Sequence, residues 1–171
     1  MQFILPTCDS CQDLHRTGSG RLARCALESV MDIRPLTPAY AVSPQIDPSD
    51  MPEIAQAGFT TIIDNRPCAE IPPSHQADAM RAAAEAAGIA FVVIPVTHSS
   101  LSPDLAAQQK GACAASSGPV LAYCASGTRS TIVWAMGQAG DMDTNAILQA
   151  AADQGYNLSS MRDQLDALAG G

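Results

Sequence analysis

From residue 31 onward, short apolar runs alternate with longer segments in which alanine and polar residues recur at helical spacing. Three of the runs are rich in β-branched or aromatic residues and have the length of buried strands: 60–64 (TTIID), 91–95 (FVVIP) and 120–123 (VLAY). A shorter run at 40–42 has the same character. Such alternation is typical of α/β units built around a mostly parallel sheet.

Capping residues mark the helices between these strands. Serine caps a helix start, proline fits the first turn, and glycine adopts the left-handed conformation that ends a helix. Ser74 and Ser102 are the expected caps of two helices. The predicted helices cover residues 50–57, 74–87, 103–115, 130–138, 143–153 and 160–168.

Residues 1–30 lack this periodicity, so the folded domain is predicted to span 31–171. The preceding extension is expected to be disordered or to lie upstream of the native translation start. It contains four potential zinc ligands, but their spacing fits no standard zinc finger, and a loose tail is favoured over a metal site. These ligands are Cys8, Cys11, His15 and Cys25. No metal or cofactor is therefore expected.

Charge and hydropathy narrow the range of partners. The 171-residue chain has a formal net charge of −8 and no basic run, which argues against general binding of nucleic acid or anionic membranes. No apolar run approaches the roughly 18 residues of a membrane span, and the first residues do not form a convincing signal peptide. We expect a cytoplasmic protein whose six cysteines are mostly reduced thiols.

The candidate chemistry lies in LAYCASGTRSTIVW, residues 121–134. An apolar strand leads into Cys124, and a loop with Gly127 and Arg129 leads into a helix. Backbone N–H groups at a helix start bind anions, so they favour the Cys124 thiolate, while a guanidinium grips two oxygens of a tetrahedral anion. Ser130 is expected to cap the helix or donate to the thiolate. The alternative is that Cys124 is a small buried apolar residue.

The expected anion-binding loop comprises Ala125, Ser126, Gly127, Thr128, Arg129 and Ser130. This loop resembles the active-site loops of cysteine-dependent phosphatases and of rhodanese sulfurtransferases. More specifically, residues 31–171 resemble the phosphatase-like domain of beta-lactamase hydrolase-like proteins, a bacterial family also found fused to sulfur dioxygenase domains. The motifs that carry the resemblance are GFTTIIDNRP (58–67), FVVIPV (91–96) and PVLAYCASGTRS (119–130).

The resemblance implies a dual-specificity-phosphatase-like fold, with a central, mostly parallel sheet of four or five strands flanked by helices. It also implies a sulfur dioxygenase as a possible partner. The substrate is expected to be a small anion: thiosulfate, a persulfide or a phosphate ester.

Three features favour sulfur chemistry over phosphate chemistry. Four residues separate Cys124 from Arg129, as in many rhodaneses, whereas familiar phosphatases have five residues at this place. Tyr123 precedes the cysteine, where those phosphatases usually carry histidine. No obvious general acid is present, and sulfite needs none to depart. The leading hypothesis is a rhodanese-type sulfurtransferase that forms a persulfide on Cys124.

Two alternatives remain open. The first is a non-classical cysteine phosphatase with a phosphocysteine intermediate, in which Asp104 is the candidate acid, although Ser102-Pro103-Asp104 also reads as an ordinary helix start. The second is a non-catalytic, redox-sensitive domain that binds anions.

Other residues are candidates for the rim of the pocket. Asp64 and Arg66 end a strand predicted to neighbour the Cys124 strand, where a structural salt bridge is the favoured alternative to a role in substrate binding. His98, in the loop after FVVIPV, is a candidate substrate contact, although a lone loop histidine is usually just solvated. Cys68 is a candidate thiol partner for oxidised Cys124.

Overall fold

The computed structural model describes residues 31–97 and 99–170. Among these residues, five strands form one sheet in the order β1-β2-β5-β3-β4. The first strand is antiparallel to its neighbour and the other pairings are parallel, which confirms the predicted mostly parallel sheet. The strands are β1 (Arg34–Thr37), β2 (Tyr40–Ser43), β3 (Thr61–Asp64), β4 (Ala90–Val93) and β5 (Val120–Tyr123).

Helices cover both faces of this sheet. Alternate strand residues face opposite sides, so Ile62 and Leu121 pack under one group of helices while Ile63 and Ala122 pack under the other. The first group is α1 (Met51–Gln56) and α2 (Ala77–Ala86); the second is α3 (Pro103–Ala115), α4 (Thr128–Gln138), α5 (Thr144–Asp153) and α6 (Arg162–Ala169).

The sheet register determines where the site lies. Tyr123, the last residue of β5, is paired with Ser43 at the end of β2 and with Asp64 at the end of β3. All four residues of β5 are buried because the strand is central and covered on both faces. Cys124 therefore leaves the sheet at the point where the carboxyl ends of three parallel strands meet.

Strand β1 and the start of helix α2 differ from the sequence predictions. Strand β1 was not predicted because Pro35 and Pro38 interrupt its apolar pattern, but an edge strand tolerates proline. Helix α2 begins at Ala77 rather than at residue 74, because Ser74 lies in a separate 3-10 turn and Gln76 precedes the helix. The Ser102 cap of α3 is confirmed, since its hydroxyl accepts a hydrogen bond from the Leu105 N–H at 3.2 Å.

Several predictions fall outside the described residues. These are the extension 1–30, with its four potential zinc ligands, and His98. Within the described ranges, no helix combines the length and the apolar character needed to cross a membrane.

Candidate active site

The thiol of Cys124 lies at the base of the loop that connects β5 to α4. Cys124 is fully buried, and its sulfur accepts a hydrogen bond from the Gly127 N–H at 3.1 Å. Gly127 is the N-cap of α4 and has a φ of 85°, in the left-handed region that favours glycine. Because the helix already begins at Thr128, the expectation that Ser130 caps it is wrong.

The loop lowers the pKa of Cys124. Burial acts to raise it, but the N–H groups of Ser130, Ser126 and Arg129 and the Ser130 hydroxyl together outweigh burial, so the pKa of the thiol is lowered from its ordinary value. The Ser130 Oγ atom is buried and makes no hydrogen bond within the described part of the chain. The Ser130 hydroxyl nevertheless contributes to the lowered pKa of Cys124, and its donation to the thiolate stays a prediction.

The other predicted loop residues contribute backbone rather than side chains. Ala125, Ser126 and Thr128 are exposed, and the Ser126 and Thr128 hydroxyl oxygens lie 3.1 Å apart. Their side chains face solvent, so the inward surface of the loop is made mainly of peptide N–H groups.

Arg129 is held at the rim by Glu70. Its Nη1 and Nη2 atoms donate to the two carboxylate oxygens of Glu70 at 3.0 and 2.7 Å, and Nη1 also donates to the Val96 carbonyl at 2.8 Å. The hydrogen bond to Glu70 is the main reason that the pKa of Arg129 is raised. Sequence reasoning missed Glu70 because it lies 59 residues away, in the 3-10 turn Cys68–Glu70, with no motif around it.

Arg66 lies close by but binds protein groups. Its guanidinium donates to the Gln45 Oε1 atom at 3.0 Å and to the Glu70 carbonyl at 2.8 Å, and its Nε is 3.7 Å from a Glu70 carboxylate oxygen. The backbone N–H of Arg66 donates to the Asp64 Oδ1 atom at 2.8 Å. Asp64 is buried, and burial raises its pKa. The geometry favours the structural alternative for both residues, since Arg66 braces the carboxylate that holds Arg129.

A second missed residue contacts the loop from behind. The Tyr156 hydroxyl, located just after α5, donates to the Ser126 carbonyl at 3.1 Å. No sequence signal pointed to this tyrosine, which lies 30 residues beyond Ser126.

The remaining candidates lie further out. Asp104 is exposed in the first turn of α3, and within the described part of the chain it makes no hydrogen bond or ion pair with the Cys124 loop. Cys68 is an exposed free thiol at the start of the turn that carries Glu70. The structure brings together Cys124, Arg129 and Ser130, but it does not bring Asp104 into contact with them.

Comparison with known proteins identifies the family. A family model described as the phosphatase-like domain of beta-lactamase hydrolase-like protein matches residues 32–141, more than half of the chain. The chain belongs to this family. A beta-lactamase hydrolase-like protein of Xylella fastidiosa (strain Temecula1) is 35% identical over 112 residues, which cover 65% of this chain and 26% of that protein. The chain thus spans about a quarter of the length of the curated relatives it matches.

The solved structures that are similar to this family member have phosphatase folds. A protein of Neisseria meningitidis Z2491, described as a candidate phosphatase, is 32% identical with a TM-score of 0.72, covering 81% of this chain and 99% of its own. A cysteine-to-serine variant of P. aeruginosa TpbA in complex with pTyr has a TM-score of 0.60 at 16% identity, covering 81% and 88%. The predicted dual-specificity-phosphatase-like fold is confirmed.

These comparisons correct the predicted activity. The prediction of a rhodanese-type sulfurtransferase is wrong, because the family is phosphatase-like and the similar Neisseria meningitidis protein is described as a candidate phosphatase. The prediction relied on the number of residues between Cys124 and Arg129, but that number fixes only the length of the loop. A loop with four intervening residues still turns its N–H groups toward the sulfur and places the guanidinium at the rim.

Proposed function

We propose that this chain is a cysteine-dependent phosphatase that hydrolyses phosphate monoesters through a phosphocysteine intermediate on Cys124. The observation that carries the proposal is the buried thiol of lowered pKa inside a loop of inward N–H groups, with Arg129 at its rim. This arrangement suits a nucleophile that attacks a tetrahedral dianion. Membership in the phosphatase-like family supports the same chemistry.

The phosphate group would occupy the loop. Glu70 already takes the Nη1 and Nη2 atoms of Arg129, so we assign the Nε and the remaining Nη2 hydrogen to two phosphate oxygens. The peptide N–H groups of residues 125–130 bind the other oxygens. These donors stabilise the charge that spreads over the equatorial oxygens as the phosphoryl group is transferred.

Two displacement steps complete the reaction. In the first, the Cys124 thiolate attacks phosphorus, an S–P bond forms, the ester P–O bond breaks, and the departing alkoxide or phenoxide takes a proton from a general acid. In the second, water attacks the phosphocysteine, loses its proton to a base, and releases phosphate and the thiolate. The Ser130 hydroxyl, which contributes to the lowered pKa of the thiol, stabilises the thiolate as the S–P bond breaks.

Phosphoenzyme trapping tests the nucleophile. The wild type is expected to hydrolyse p-nitrophenyl phosphate and phosphotyrosine, and rapid acid quenching should trap a phosphoryl group on a peptide containing Cys124. Cys124→Ser should lower kcat on the order of a thousandfold or more. The matched control is Cys113→Ser, which removes a half-buried thiol in α3 and should retain activity. Retained hydrolysis in Cys124→Ser would refute the proposal, and phosphate binding without turnover would support a regulatory, anion-binding domain instead.

Asp104 remains the proposed general acid. The case for it is its position early in α3, on the connection that begins at Val96, whose carbonyl binds Arg129. Asp104→Asn should lower kcat about a hundredfold for alkyl phosphates but much less for p-nitrophenyl phosphate, since p-nitrophenolate needs little protonation to depart. An equal loss for both substrates would assign the acid to another residue. A sulfur dioxygenase partner stays a prediction from the family resemblance.

A further inference from the structure

Tyr156 contacts the active-site loop at a single peptide, the one that joins Ser126 to Gly127. Its side chain is almost fully buried after α5, and its hydroxyl donates to the Ser126 carbonyl at 3.1 Å. The approach is so close that a Cβ on Gly127 would overlap the hydroxyl oxygen. Tyr156 lies beyond residues 32–141, the segment matched by the family model.

The two hydrogen bonds of this peptide lie on opposite sides. A trans peptide is planar, with its C=O and N–H directed in opposite senses. The Ser126 carbonyl binds Tyr156 on the outside, while the N–H of the same peptide, from Gly127, donates to the Cys124 sulfur at 3.1 Å on the inside. Fixing the carbonyl outward therefore fixes the N–H inward.

The opposite orientation would disable the loop. A flipped peptide would direct a carbonyl oxygen at the thiolate and at any bound anion, which is repulsive. Glycine accommodates such a flip at low steric cost because it has no Cβ, and Gly127 already has a φ of 85°. The sequence of the loop therefore leaves this peptide free to rotate, and its orientation depends on a contact from outside the loop.

The tyrosine is itself anchored. The Arg34 guanidinium carbon lies 5.1 Å from the centroid of the Tyr156 ring, and Arg34 also donates to the Gln154 carbonyl at 3.3 Å. Burial raises the pKa of Tyr156, so the hydroxyl stays protonated and able to donate near neutral pH.

We propose that Tyr156 is a positioning residue whose hydroxyl locks the Ser126–Gly127 peptide in its anion-binding orientation. The catalytic consequence rests on the proposed phosphatase function, whereas the effect on the thiol does not. Because the lock acts on a donor to the sulfur, losing it must change the titration of Cys124 as well as turnover.

The test is Tyr156→Phe, which keeps the ring and its packing against the Arg34 guanidinium but removes the hydroxyl, and with it the hydrogen bond to the loop and the hydroxyl's interaction with Arg34. The pH at which iodoacetamide alkylates Cys124 at half its maximal rate should rise by roughly half a unit to one unit. In parallel, kcat/KM for p-nitrophenyl phosphate should fall about five- to tenfold, the effect of one lost hydrogen bond. The matched control is Ser116→Ala, which removes another hydrogen-bonded hydroxyl, one that donates to the Gly118 carbonyl at 2.9 Å at the opposite end of the sheet.

The outcomes separate the lock from general stability. A raised alkylation midpoint in Tyr156→Phe, with an unchanged midpoint in Ser116→Ala, supports the proposal. An unchanged midpoint in Tyr156→Phe, or an equal rise in both variants, overturns it. If the wild type hydrolyses no phosphate ester, the phosphatase proposal fails, but the alkylation midpoints still decide whether Tyr156 locks the peptide.

Discussion

Gly127→Ala tests how tightly the active-site loop is packed. The new Cβ would overlap the Tyr156 hydroxyl oxygen and lie 2.9 Å from Cζ of the ring and 3.4 Å from the Ser43 carbonyl. The residue would also keep a φ of 85°, which L side chains rarely adopt. Both effects lower the stability of the folded state.

The expected loss of stability is the sum of three contributions. The left-handed backbone costs an alanine about 1–2 kcal/mol, the lost hydrogen bond between Tyr156 and Ser126 about 1 kcal/mol, and partial exposure of the displaced ring about 1 kcal/mol. Gly127→Ala should therefore lower the free energy of unfolding by about 3–4 kcal/mol, a large share of a typical domain's stability. Urea denaturation followed by the fluorescence of the buried Trp134 measures it.

Gly88→Ala is the matched control. Gly88 has a φ of 76°, and no atom of the described residues lies within 4 Å of its would-be Cβ, so this variant isolates the backbone cost of about 1–2 kcal/mol. In a Tyr156→Ala background the overlap at Gly127 disappears, and Gly127→Ala should then cost no more than Gly88→Ala does. If Gly127→Ala costs as little as Gly88→Ala in the otherwise unaltered chain, the close packing of Tyr156 against the loop is refuted.

Two further predictions concern charged residues near the site. Glu70→Gln removes the charge that orients Arg129 and should raise KM for p-nitrophenyl phosphate roughly tenfold. The control is Glu85→Gln, at an exposed position in α2. An unchanged KM in Glu70→Gln would show that Arg129 needs no partner. Asp64 has a raised pKa, so the folded state holds its proton more tightly than the unfolded state, and stability falls as pH rises through that pKa. Asp64→Asn should remove this loss of stability. Urea denaturation from about pH 4 to pH 8 should then show that the free energy of unfolding of the variant depends less on pH than that of the wild type. An identical pH dependence would contradict a raised pKa for Asp64.

Sequence reasoning succeeded where the determining contacts are local. The strand, Cys124, Gly127 and the following helix lie within one continuous segment, so the order of strand, loop and helix around this buried thiol could be predicted from neighbouring residues. The alternating apolar segments likewise predicted the sheet and most of the helices. Local patterns were enough because burial and capping act on residues close in the chain.

The rest of the site depends on contacts between distant segments. Glu70 reaches Arg129 from 59 residues away, and Tyr156 reaches Ser126 from 30 residues away, so neither is marked by a local pattern. The prediction of sulfur chemistry was wrong for a related reason. The spacing between Cys124 and Arg129 describes one loop, whereas the reaction is determined by everything that surrounds it.

The position of Tyr156 in the chain has a consequence for the order in which the site matures. During synthesis Ser126, in the loop that follows the thiol, leaves the ribosome 30 residues before the tyrosine that donates to its carbonyl. The sheet strands all precede Tyr156, so a nascent chain can pair them while this peptide is still unrestrained. Docking of the segment that follows α5 is then a late event, and under the proposed role of Tyr156 the Cys124 thiol gains its full reactivity only after this docking.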